Sequence, residues 1–349
     1  MAYGSTAHSL YYRNGYCVTM KIIADSKIPF LRGLLEPVAQ VEYLPANRIT
    51  ANVVRDASVL LTRTRTRCDS NLLADSKIEF IGTATIGTDH IDMDYCRNHG
   101  ISVVNSPGCN APAVAQWVHA SILRWLENRG VNNPITLGVV GVGHVGSIVA
   151  RWASQLGYRV LLNDPPRAER EDNSQFVDLS TFQRECDIIT FHTPLTSVGD
   201  YPTWHLCNAE FLDGLERCKL IINAARGAVC DNDALLNWHG DVALDCWEGE
   251  PVVNLVLLEK AFVATPHIAG YSIQGKQRGT AMVIEALNRH YGWDIKPQQA
   301  NTPYEGANCV TPQTILDSYD PLIDTARLKS SPDTFEHQRT NYALRQELL

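Results

Sequence analysis

A short apolar run, Ile135-Thr136-Leu137-Gly138-Val139-Val140, leads directly into Gly141-Val142-Gly143-His144-Val145-Gly146, and a helical pattern follows at once. No other feature constrains the chain as much. Strand, glycine turn and helix in immediate succession begin a parallel sheet with a crossover helix. Gly141 permits the tight turn, Gly143 lets the backbone approach a pyrophosphate, and Gly146 lets helix and strand pack closely. The helix is read over 147–156, with Ile148, Val149, Trp152 and Leu156 on one side and Gly157 closing it. Its N-terminus faces the anion. His144 and Val145 lie inside the loop, the histidine turned to solvent. A second strand, 158–162, ends in Asn163-Asp164. An acid there can accept from the adenosine ribose hydroxyls, which favours NAD over NADP. Arg167 leaves NADP a small place, and a glycine-rich turn capped by an aspartate is the plainer alternative.

From about 135 to 266, strand, turn and helix repeat, which implies a parallel sheet with helices on both faces. Apolar runs at 220–222, 242–244 and 262–264 read as buried strands. Each is followed by a polar segment: Asn223-Ala224-Ala225-Arg226-Gly227, Asp245-Cys246-Trp247-Glu248-Gly249-Glu250-Pro251, and Thr265-Pro266-His267-Ile268-Ala269-Gly270-Tyr271. In open parallel sheets, ligands sit at the carboxyl ends of strands. Arg226, Glu250 and His267 are therefore offered on successive strand ends, downstream of a nucleotide loop. Hydride transfer from a hydroxy acid needs such a set. Arg226 can grip a carboxylate bidentately. His267 can take the hydroxyl proton. Glu250 can hold the far ring nitrogen and stabilise the imidazolium. Singly, each could be a loop residue, a helix cap or a solvated turn; their joint placement carries the reading. Asp245 ends a strand, where it could accept from a nicotinamide carboxamide. Thr193 follows a strand at 188–192.

At 349 residues the chain is long enough for two domains or three. A net charge of −8 argues against a general nucleic-acid or anionic-membrane surface. It leaves room for an anionic substrate held by local arginines. The cysteines show no C-x-x-C and no regular spacing, so they read as buried thiols in a reducing cytosol rather than as disulfide partners. No His, Cys and carboxylate set has metal-ligand spacing, so no metal is expected. No apolar run is long enough for a membrane helix.

Residues 1–19 read as a flexible extension, with an extra edge strand as the alternative. Short strands and helices alternate over about 20–105, for example at 57–62, 80–84 and 101–104. A helix at 114–129, with Val114, Trp117, Val118, Ser121, Ile122 and Trp125 at helical spacing, stops at Gly130 and could connect two lobes. Another is read at about 281–290. Beyond Tyr291 the composition shifts to Pro, Asn, Gln and Asp, with a charged helix expected over 335–349. The expected architecture is α/β. A Rossmann-type doubly wound domain spans 111–269. A discontinuous flavodoxin-like α/β substrate domain comprises 20–110 and 270–290. A small, shortened C-terminal dimerisation segment occupies 291–349. Arg63, Arg65 and Arg67 alternate with threonines after the 57–62 strand. In extended chain the arginines share one face and could present guanidinium groups to an anionic substrate, while a solvated charged edge is the plainer reading. Lys276 and Arg278 are further phosphate candidates.

The segments G-V-G-H-V-G, N-A-A-R-G-A-V-C-D, D-C-W-E-G-E-P and T-P-H-I-A-G-Y resemble the D-isomer-specific 2-hydroxyacid dehydrogenases. Finer likenesses, at 82–90, 107–111, 164–167, 270–271 and 278–280, point to the members that oxidise a phosphorylated erythronate. The resemblance covers roughly 20–290. It implies Arg226 and Glu250 as active-site residues and His267 as proton donor or acceptor. It implies NAD contacts from Asp164, Thr193, Ala224, Ala225, Arg226, Asp245 and Gly270, and substrate contacts from Thr64, Thr85 and Tyr271. It also implies NAD-dependent oxidation of 4-phospho-D-erythronate to its 2-oxo acid, in pyridoxal 5′-phosphate biosynthesis, by a cytoplasmic homodimer. The alternatives are another D-2-hydroxyacid dehydrogenase, such as one acting on phosphoglycerate, or an NAD(H)-sensing binding protein without turnover. Phe335, Arg339, Asn341, Tyr342 and Arg345 echo part of the family's C-terminal domain, which here is divergent and short.

Overall fold

The computed structural model describes residues 11–13, 16–18, 20–131, 135–171, 175–301, 307 and 310–348. Two compact units divide the chain: 1–109 with 274–301, and 110–273 with 302–349. Most of the expected 1–19 extension lies outside the described residues, but Tyr11–Arg13 (β1) and Tyr16–Val18 (β2) pair as an antiparallel ribbon.

The smaller unit holds a five-stranded parallel sheet of Lys21–Asp25 (β3), Gln40–Leu44 (β4), Val59–Thr62 (β5), Phe80–Thr83 (β6) and Ser102–Val104 (β7). Its order, β4-β3-β5-β6-β7, is the flavodoxin-like winding. Alternation along each strand divides the core in two. Ile22, Ala24, Val59, Leu61 and Phe80 pack on one face, where the helix Ile273–Tyr291 supplies Val283, Ile284 and Leu287. Ile23, Leu60 and Ile81 pack on the other. Both faces are covered, so the central strands β5 and β6 are buried throughout, while the edge strand β4 alternates toward solvent.

In the larger unit the strands Thr136–Val140 (β8), Arg159–Asn163 (β9), Ile188–Phe191 (β10), Leu220–Asn223 (β11), Asp241–Leu244 (β12) and Val263–Ala264 (β13) form a parallel sheet in the order β9-β8-β10-β11-β12-β13. An isolated parallel bridge, Leu162 to Phe176, prolongs it beyond β9, where a doubly wound dinucleotide fold has its third strand. Leu137, Val139, Leu220, Ile222 and Val263 face one helical layer, and Val140, Ile189, Ile221, Val242 and Ala264 the other. Each fully buried aliphatic side chain of this kind contributes about 1.5–3 kcal/mol relative to exposure.

The helix read at 114–129 runs Ala111–Arg129 and ends, as expected, on Gly130 at φ +61°. It is buried on all sides rather than along one stripe. Nearly every residue from 111 to 126 is buried, because it lies within the larger unit with the helix His144–Gln155 and the C-terminal chain around it. That C-terminal chain is also not a separate body. Ile315 and Tyr319 join one core layer, Leu328 and Phe335 the other. Thr325 Oγ1, on the helix Pro321–Ser330, accepts from the Ala264 N–H at the sheet edge (3.0 Å). The charged helix expected over 335–349 covers only Phe335–Thr340. Beyond it Arg345 bridges to Ser272 in strand-like pairing and donates to the carbonyls of Ala113, Ile268 and Ala269, contacts that a continued helix would forgo.

Candidate active site

The glycine loop leaves β8 between that strand's two neighbours, at the point where the sheet order reverses, which is the ligand position of open α/β sheets. Gly141 has φ +82°. A Cβ on Gly146 would stand 2.0 Å from the Gly141 carbonyl oxygen, so only glycine fits. A Cβ on Gly143 would meet nothing within 4 Å; that side of the loop is open, and His144 beside it is exposed. The opening is a groove of ≈ 410 Å³ bordered by Gly143, His144, Arg151 and Arg167. Nearby, the Thr193 hydroxyl is buried and has no hydrogen-bond partner in the protein. An open glycine cradle and a waiting hydroxyl fit a dinucleotide.

Asp164 is partly committed to the loop. Its carboxylate accepts from Val142 N (2.8 Å) and Arg167 N (3.1 Å). Arg167 is held by Glu171 through two bonds of 2.8 Å and by the Val142 carbonyl. Its charge is therefore largely met, which leaves little for a 2′-phosphate.

At the end of β11, Asn223 folds back. Its amide donates to the carbonyl of Arg226 (2.9 Å) and its oxygen accepts from Ala225 N (3.1 Å). After a bend at Ala225 the backbone of Arg226 is extended, and Arg226 Nη1 donates to the Ala225 carbonyl (2.9 Å). A Cβ on Gly227 would come within 2.1 Å of the Trp247 backbone, so this turn and the one after β12 interlock.

Asp245, at the end of β12, is 1% exposed. Its Oδ1 accepts from Thr265 Oγ1 (2.6 Å) and Ile268 N (2.7 Å), and its Oδ2 from Ala269 N (2.9 Å). Burial raises this carboxyl above the usual range, with the His267 charge and these bonds opposing. Asp245, read from the sequence as a partner for a carboxamide, also anchors the loop that follows β13.

That loop carries His267, at φ +56°, a left-handed conformation that costs a side-chain-bearing residue about 1–2 kcal/mol. The bonds to Asp245 hold it there, together with His267 N donating to the Asp245 carbonyl (2.9 Å). His267 Nδ1 and Glu250 Oε1 are 2.6 Å apart. Burial raises the Glu250 carboxyl, but the hydrogen bond and charge of His267 and the nearby Arg339 outweigh it, leaving the group below its usual range. Glu250 is therefore a carboxylate, and an imidazole donating to it from Nδ1 keeps its lone pair on Nε2. Gly270 and Tyr271 complete the loop; the Tyr271 ring lies edge-on to Tyr342, 6.2 Å away.

In the smaller unit the extended alternation expected for 63–67 does not form. Residues 64 and 65 make a turn, Thr66 is buried, and Arg63, Thr64 and Arg65 follow one another out of β5. Arg63 Nε is drawn to the buried Asp25 (3.1 Å), and Arg67 pairs with Asp69 (2.9 Å). Thr64 and Arg65 are exposed. The Thr85 hydroxyl lies 2.6 Å from that of Thr83. Arg278, one of the two further phosphate candidates, donates through Nε to the Cys109 carbonyl (2.8 Å).

Two groupings in the larger unit were given no place at the site by the sequence. His205 sits between Glu248 (Nε2 to Oε1, 2.8 Å) and Asp231 (Nδ1 to Oδ2, 3.6 Å), with Trp204 stacked on its ring at 3.7 Å. It is the one His and carboxylate group among the described residues tight enough to share a cation, but both ring nitrogens already face carboxylates. The second is Arg339, whose Nη1 lies 3.6 Å from Glu250 Oε1. Of the other histidines, His192 is pushed down to about 3 by burial and by His119, and His90 is lowered by burial.

Residues 112–269 match the family described as D-isomer specific 2-hydroxyacid dehydrogenase, NAD binding domain. The chain is 45% identical over 340 residues to the erythronate-4-phosphate dehydrogenase of Bacteroides fragilis, covering 94% of this chain and 97% of the relative. It is 41% identical over 340 residues to that of Porphyromonas gingivalis, covering 93% and 92%. Among solved structures, the D-lactate dehydrogenase of Aquifex aeolicus complexed with NAD and lactic acid shares the fold at TM-score 0.63 and 24% identity, over 77% of this chain and 95% of that one.

Proposed function

The chain belongs to the erythronate-4-phosphate dehydrogenases, within the D-isomer-specific 2-hydroxyacid dehydrogenases, and from that premise we propose that it oxidises 4-phospho-D-erythronate at C2 to the 2-oxo acid with NAD. The observation that carries the mechanism is the 2.6 Å contact between His267 Nδ1 and Glu250 Oε1. It leaves Nε2 as the base that takes the C2 hydroxyl proton, and Glu250 stabilises the imidazolium that results. Arg226 holds the substrate carboxylate as a planar fork. NAD supplies the hydride acceptor. Gly141, Gly143, His144, Val145 and Gly146 hold its pyrophosphate and Asp164 its ribose. Thr193, Ala224, Ala225, Arg226, Asp245 and Gly270 are its further contacts, and Asp245 also fixes the loop that carries His267. Tyr271 is proposed as a substrate contact, as are Thr64 and Thr85 with Arg63 and Arg65 on the smaller unit.

The pathway expectation, pyridoxal 5′-phosphate formation, goes with this substrate. A homodimer built on the C-terminal segment and a cytoplasmic location belong to the same reading. The location is supported by eight buried cysteine thiols among the described residues, which a reducing compartment preserves. No helix among the described residues is long and apolar enough to cross a membrane.

The test is NADH absorbance on mixing the protein and NAD with 4-phospho-D-erythronate, 3-phosphoglycerate and D-lactate in parallel, with and without a 2-oxo acid to recycle a tightly held NADH. Turnover of the erythronate ester alone is expected. Equal turnover of the others overturns the substrate, and cofactor binding with silence on all of them overturns the enzyme.

A further inference from the structure

The C-terminal chain, after the helix Pro321–Ser330, turns back over the loop that bears His267. Four of its side chains meet that loop or its carboxylate. Glu347 accepts from Ser272 Oγ (2.7 Å). Arg345, 9% exposed, donates to the carbonyls of Ile268, Ala269 and Tyr271. Tyr342 packs edge-on against Tyr271 and donates to Asp324 (3.1 Å). Arg339 reaches furthest in, with 16% of its side chain exposed, its Nη1 3.6 Å from Glu250 Oε1 and its guanidinium hydrogen-bonded to Tyr271.

We propose that Arg339 is a positioning residue for the His267–Glu250 pair, delivered by the C-terminal chain, and that it sets the pH at which His267 becomes a base. The argument follows from charge. Glu250 Oε1 faces the imidazole at 2.6 Å and the guanidinium at 3.6 Å, while Oε2 accepts from Trp247 N (3.2 Å). A permanent cation beside the carboxylate weakens its hold on the imidazole proton, so the lone pair on Nε2 is available at lower pH. It also helps to keep the carboxylate aimed, because the guanidinium attracts the same oxygen that faces His267 Nδ1.

The other charged or titratable groups facing the pair cannot supply this. Asp245 lies behind His267 and opposes it as an anion. The Cys246 thiol is pushed far up by burial and stays neutral. Arg226 acts on the Cys246 side and in the proposed function is spent on substrate. Tyr271 is Arg339's own partner, and on the C-terminal helix Glu336 bonds Thr340 (2.8 Å).

This inference rests on His267 being the base, and its test separates the two. The imidazole of His267 is titrated by NMR in the holoenzyme without substrate, and the kcat profile is taken for the oxidation in parallel. In Arg339→Gln the ring midpoint and the acidic limb of kcat are expected to move up by roughly one pH unit, with kcat lowered about tenfold. Arg339→Lys, which keeps the charge, holds the midpoint near that of the parent. A midpoint that does not move in a folded Arg339→Gln overturns the proposal, whatever the substrate proves to be. A midpoint in Arg339→Lys that moves as far as in Arg339→Gln also overturns it, by showing that charge is not what acts. Should the glutamine variant not fold, Arg339→Met, uncharged and of similar reach, takes its place under the same criterion.

Discussion

The larger unit contains two histidines built from nearly the same parts and put to different ends. His205 and His267 both hold a left-handed backbone, at φ +49° and +56°. Both bond a glutamate of one short turn, Glu248 and Glu250, at 2.8 and 2.6 Å. The contrast lies in what the second nitrogen does. In His205 it faces Asp231, and Trp204 covers the ring. In His267 the loop beneath is clamped by Asp245, the ring meets only one carboxylate in contact range among the described residues, and a guanidinium stands behind that carboxylate. A histidine with both nitrogens engaged is a strut. One with a single nitrogen engaged, and its backbone immobilised, is a base held ready.

The sharpest break in that comparison is His267→Ala. Loss of the base is expected to lower kcat by roughly 10²–10⁴-fold, with NAD affinity unchanged, as measured by steady-state rates and by titration of NADH fluorescence. A retained rate would remove His267 from the chemistry. Glu250→Gln comes next, at about 10²-fold, with a distinctive sign. Without the carboxylate the imidazolium is less stable, so the acidic limb of the kcat profile moves to lower pH. An upward shift would mean that Glu250 does not act through His267.

Much of this was readable in the sequence because the information is local. Each catalytic side chain follows within a few residues of a buried apolar run, and the strands at 220–223, 241–244 and 263–264 begin or end within a residue or two of those runs. The glycine loop carries its own context. What was hidden depends on partners far away in the chain. Arg63 leaves the extended pattern because Asp25, on a neighbouring strand, draws it in. The 335–349 segment reads as a helix by composition, yet Arg345 finds carbonyls more than seventy residues upstream. The helix Ala111–Arg129 looks one-sided in sequence and is enclosed all round by elements whose docking no local period reports. His205 sits in Thr203-Trp204-His205-Leu206, which signals nothing until Asp231 and Glu248 are folded against it.

His205→Ala is the counterpart to His267→Ala, and its effect should fall on stability. It leaves two carboxylates facing each other without the ring between them and removes the stack under Trp204. We expect a loss of about 1–3 kcal/mol in denaturant unfolding, with kcat within a few-fold of the parent. A loss of rate matching that of His267→Ala would erase the distinction between strut and base.

The smallest expected effect concerns Glu250 in the stability of the resting protein. Its folded-state pKa is lowered, so the group stabilises the fold at pH values above its unfolded-state value, near 4.5, and that contribution is lost as pH falls through the lowered folded value. The unfolded chain binds the proton first, and stability falls with it. In Glu250→Gln this increment is absent, so unfolding free energy followed downward from pH 5 should fall less steeply than in the parent. Asp245 works the other way, since burial raises its pKa and the fold bears a cost for its charge above the ordinary aspartate range. The two carboxylates thus oppose each other in the pH dependence of the same loop. A parent and a Glu250→Gln variant with parallel acid limbs would show that the His267–Glu250 contact orients the base without adding to the stability of the fold.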